Sequence, residues 1–74
     1  MTVNHKSEMS MMFVTTTLAA NGGEMFRNDI EVAKANHPLG EQIVLQAGID
    51  YGVALGVLVN DPKFVGNRTR VALA

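Results

Sequence analysis

The chain contains no cysteine and no tryptophan, and only one tyrosine, two prolines and two histidines. Without cysteine there can be no disulfide and no zinc site built on thiolates. His5 and His37 stand far apart, so no histidine pair has ligand spacing. No metal and no cofactor are therefore expected. An excess of either charge is also missing: six basic residues face seven acidic ones, for a net charge of -1. That balance excludes a broad basic field, and nucleic acid is not an expected partner. The longest apolar stretch, 43–59, reaches only the lower limit of a bilayer span. Gln46 and Asp50 lie inside it, and an aspartate at the bilayer centre costs ~2.5 kcal/mol or more. A membrane helix is therefore not expected. The polar start Met1-Thr2-Val3-Asn4-His5-Lys6 reads as no secretory leader. The expectation is a cytoplasmic protein.

Hydrophobic residues supply 47% of the chain and charged ones 18%, enough apolar character to fold. Seventy-four residues make one domain, 1–74, with a mobile start over 1–6. A domain this short buries only about 60% of the surface of its unfolded chain. Such chains lean on disulfides, a metal or a partner subunit. With the first two excluded, a homo-oligomer is the expectation.

Three breaks divide the chain: Asn21-Gly22-Gly23, Asn36-His37-Pro38 and Asn60-Asp61-Pro62. Glycine accepts the left-handed helix cap, and proline pushes the residue before it out of the helical region. A first helix is expected from Asn4 or Ser7 to Ala20, with Met9, Met12, Phe13 and Ala20 on its apolar side and Met11, Val14 and Leu18 beside them. The run Phe13-Val14-Thr15-Thr16-Thr17 opposes this, because aromatic and β-branched residues favour strands. A second helix fits Glu24 to Ala35, with Phe26, Ile30 and Ala33 as its apolar stripe. Leu39 to Asn60 reads as one continuous helix. Every odd position from Ile43 to Val59 is apolar, however, which keeps a strand over 51–59 as the competing reading. The tail from Lys63 to Ala74 is a short helix or an irregular arm. The expected fold is all-α, a bundle of three helices with a short fourth element; the alternative is α+β with a strand at 51–59.

Gly48, Gly52 and Gly56 recur every four residues. On a helix they form a face without side chains, where another backbone can approach closely. The facing element is either this chain's own helix or a second copy, and the three glycines are the candidate interface. Asp50 and Tyr51 are polar groups within an apolar segment. Lys63, Arg68 and Arg70 concentrate positive charge in the tail with no acidic residue among them. Asp50, Tyr51, Arg68 and Arg70 are the candidate ligand contacts, for a small anion such as a nucleotide. Glu8, Glu24 and Glu31 are the candidate counter-charges within the chain.

No nucleophile stands in a recognisable catalytic context, and no phosphate-cradling glycine loop occurs. The expected function is that of a non-enzymatic regulatory protein that binds its own kind through helix packing, with another protein as a further partner. An oligomeric module for a small anionic ligand is the alternative. A small membrane-active or DNA-binding helical protein is the third reading.

Overall fold

A computed structural model describes residues 5–61 and 69–74. It contains helix α1 (His5–Ala20), strand β1 (Glu24–Phe26), helix α2 (Arg27–Ala35), a 3-10 turn (Gly40–Gln42), helix α3 (Leu45–Ala54), and strands β2 (Leu58–Asp61) and β3 (Arg70–Leu73). The fold is mostly helical, but the strands form an antiparallel sheet in the order β1-β3-β2. It is therefore not the all-α bundle expected from the sequence.

The first helix holds despite its threonines. Thr15 turns its hydroxyl back to donate to the Met12 carbonyl at 3.0 Å, which satisfies the group within the helix. Ser10, Val14 and Leu18, four residues apart, are the buried stripe. Met12, expected on the apolar side, is 57% exposed. The helix stops where Gly23 N–H donates to the Leu18 carbonyl at 2.7 Å. Gly22 and Gly23 take φ of 83° and 90°, a region that side chains resist.

The second helix starts three residues later than expected. Glu24, Met25 and Phe26 pair with Ala72, Val71 and Arg70 instead. Arg27 N–H then donates to the Thr69 carbonyl at 2.8 Å, which anchors the helix start to the sheet. The pairing partner lies more than forty residues away in sequence, so no local pattern announces it. Asn36 closes the helix, its side-chain amide donating to the Val32 carbonyl at 3.0 Å.

The expected continuous helix over Leu39–Asn60 is three elements. Gly56 has φ 76°, and Val57 N–H donates to the Gly52 carbonyl at 2.9 Å, so α3 ends in a glycine cap. The α+β alternative fits in part: a strand is present, but helix runs through Ala54 and the strand begins at Leu58 instead of Tyr51. Its register is the reverse of what the odd-position pattern suggested. Leu58 faces the core, and Val57 and Val59 face outward.

The core lies between α1, α3 and the sheet. Val14, Leu18, Ile30, Leu45, Ile49, Leu58 and Val71 form one buried cluster, flanked by Phe13 and Met25. The tail reading splits: Arg70–Leu73 is a strand rather than helix or arm, and residues 63–68 lie outside the described residues. Residues 1–4 of the expected mobile start also lie outside them, while His5 and Lys6 are helical.

Candidate functional site

The glycine face is occupied from within. Gly48 is buried against α1, where a Cβ would stand 2.6 Å from the Ser10 carbonyl carbon and 2.7 Å from the Met11 nitrogen. Gly52 is buried against Leu58, whose Cγ would lie 2.6 Å from an added Cβ. Gly56 is a turn residue with nothing facing it. The three glycines therefore do not form one face open to a second copy. Two admit the chain's own elements and the third ends the helix.

Ser10 marks the same contact. It is fully buried on α1, and its Oγ accepts from Val44 N–H at 2.9 Å. Val44 is the N-cap of α3, whose first N–H groups have no partner inside the helix. No motif in the sequence singles out Ser10. The available signal was its four-residue spacing from Val14 and Leu18. Ser10→Ala is expected to cost about 1–2 kcal/mol, because the Val44 N–H loses its acceptor in a partly buried setting. A thermal melt indistinguishable from wild type would refute this role.

The ligand candidates do not converge. Arg70 Nη1 donates to Glu24 Oε2 at 3.2 Å across the sheet surface, so its counter-charge is one of the three candidate carboxylates. Glu24 is exposed and Arg70 half-buried, and a pair so open to solvent contributes under ~1 kcal/mol. The pair lines an open cleft of about 410 Å³ walled by Asn21, Glu24, Met25, Phe26, Asp29 and Arg70. Two carboxylates there outnumber one guanidinium, which disfavours an anion. Asp50 and Tyr51 are not among its walls. Asp50 is exposed and accepts from Gln46 Nε2 at 2.8 Å. Gln46 Oε1 in turn accepts from Arg27 Nη1, so Asp50 ends a surface chain that ties α2 to α3. Tyr51 is half-buried. Arg68 lies outside the described residues. Among the described residues no acidic, histidine or cysteine cluster could hold a metal ion, and no helix is long and apolar enough to cross a membrane.

What the surface does offer is apolar. Val53, Leu55, Val57 and Val59 are 44%, 53%, 41% and 47% exposed. They follow one another at every second residue from the end of α3 into β2. No charged residue and no proline falls between Val53 and Asn60. Single exposed apolar residues are ordinary, and four of them within one uncharged segment make that segment the candidate interaction surface. These are four of the apolar odd positions whose alternation suggests a strand in the sequence.

No protein-family model, curated protein or solved structure matches this chain.

Proposed function

We propose that this chain is a non-catalytic interaction module that works as a homo-oligomer, through the apolar surface from Val53 to Val59 rather than through its glycines. The carrying observation is that four consecutive odd-numbered apolar side chains stay exposed while the chain's own core is thin. Fully burying a valine or leucine stabilises by roughly 1.5–3 kcal/mol. A domain of this size has only about 4–11 kcal/mol of net stability, so a partner that covers this surface matters. The fully buried Ser10 hydroxyl is engaged with Val44, which supports a structural rather than a nucleophilic role for it. The proposed location is the cytoplasm, whose reducing chemistry makes no demand on a chain without cysteine. Sedimentation equilibrium at micromolar concentration is expected to show a dimer or larger species. A single species of 8.0 kDa at all concentrations would refute the reading.

One observation favours a second reading. Helix, strand, two helices and a β-hairpin, with the first strand beside the last, is the chain path of a winged helix-turn-helix. Such domains set their third helix into the DNA major groove. The argument is an analogy of fold alone. Surface charge opposes it: from Leu39 to Asp61 there is no lysine or arginine, and α3 carries Asp50. Phosphate contacts dominate nucleic-acid affinity. A gel shift with duplex DNA that weakens steeply as salt rises would favour this second reading.

A further inference from the structure

We infer that two copies of this chain pair through β2, antiparallel about a two-fold axis at Val59, and join their sheets into one of six strands. The inference rests on the homo-oligomer reading and names the contact that makes it.

The sheet order leaves β2 at an edge. Its phase follows from the hydrogen bonds. Ala74 N–H donates to the Val57 carbonyl at 3.0 Å. On the other side of β3, Leu73 N–H donates to Gly23 and Arg27 N–H to Thr69, each at 2.8 Å. Backbone groups alternate in direction along an antiparallel strand. Positions 69, 71 and 73 therefore turn to β1, and positions 70, 72 and 74 turn to β2. Residues 57, 59 and 61 of β2 answer them. The N–H and C=O groups of Leu58 and Asn60 point away from the sheet. Among the described residues none bonds to them.

Two outward residues flanking one centre are self-complementary under a two-fold axis. Leu58 of each copy stands opposite Asn60 of the other, and each pair exchanges both of its N–H···O bonds. Val59 meets its own twin in the closely spaced, non-hydrogen-bonded position. Its side chain lies on the solvent face of the sheet, with Val57 a diagonal neighbour in reach of the twin valine. The one charged residue of β2, Asp61, stands at its end, where this register sets position 61 opposite Val57 of the copy and not against a like charge. No residue from Val53 to Asn60 would meet a like charge across the axis. Pro62, which has no N–H, and the left-handed Gly56 bound the strand. The Val59-centred register is thus the one that uses both outward residues.

The test uses the absence of cysteine. Val59→Cys places one thiol per chain at an exposed position, opposite its copy. A closely spaced antiparallel pair has Cα atoms about 4.5 Å apart, within the range a disulfide spans. Mild oxidation is expected to convert this variant to a covalent dimer. Val32→Cys, exposed on α2 away from the axis, is expected to stay uncross-linked. Val59→Asp sets two carboxylates against each other, and is expected to sediment at 8.0 kDa with an unchanged helical spectrum. If wild type is dimeric but Val59→Cys does not cross-link and Val59→Asp remains dimeric, the β2 contact is wrong while the homo-oligomer reading survives. A wild type that is monomeric at all concentrations overturns both.

Discussion

Gly48→Val is expected to lower the melting temperature by about 12 °C or more, since overpacking by a whole isopropyl group should cost about 3 kcal/mol, the upper end of its usual range. The reason is what the side chain would strike. An added Cβ stands 2.6 Å from the Ser10 carbonyl carbon and 2.7 Å from the Met11 nitrogen. Both are backbone atoms inside α1, and they cannot rotate away as a side chain tip can. The two helices would have to separate, and the Ser10–Val44 hydrogen bond at 2.9 Å would stretch with them. Gly56→Ala is the comparison. Nothing faces Gly56, and its penalty is only that of a positive φ, about 1–2 kcal/mol. Should thermal unfolding show Gly48→Val no less stable than Gly56→Ala, α1 and α3 do not meet at Gly48.

Leu18→Ala is expected to lose about 2–5 kcal/mol, the range for deleting a buried leucine and leaving a cavity. Leu18 is fully buried within the central cluster. Met12, on the same helix, is 57% exposed, and Met12→Ala should fall within about 0.5 kcal/mol of wild type. The pair is a sharp measurement because the sequence placed Met12 on the apolar side of this helix. Urea unfolding midpoints that show equal losses for the two variants would contradict the buried stripe of Ser10, Val14 and Leu18.

The contrast between those two residues shows how the sequence carried its information. Helix signals are local. Asn21-Gly22-Gly23 ended α1, and Asn36-His37-Pro38 ended α2, because cap geometry and the exclusion before proline act within a few residues. Composition was equally direct: a chain without cysteine has no disulfide. The strands were not local. Glu24-Met25-Phe26 looked like the start of a helix, and it became β1 because Ala72, Val71 and Arg70 offered backbone partners from the far end of the chain.

The alternation of apolar residues from Ile43 to Val59 was visible from the start, but its meaning was not. Periodicity says which residues share a face, and it does not say whether a neighbour covers that face. Gly48 and Gly52 were evident as places of close approach. Only the packing of α1 and Leu58 against them decided that the approach is internal. Val57 and Val59 were evident as apolar, and only the packing of Leu58 into the core decided that its neighbours on either side face outward. The sequence by itself determined the first two breaks, the first helix and the absence of disulfides, because these follow from the chemistry of adjacent residues. Tertiary structure alone decided the sheet, the partners of the glycines and the exposed edge, because each is set by groups that meet only after the chain has closed on itself.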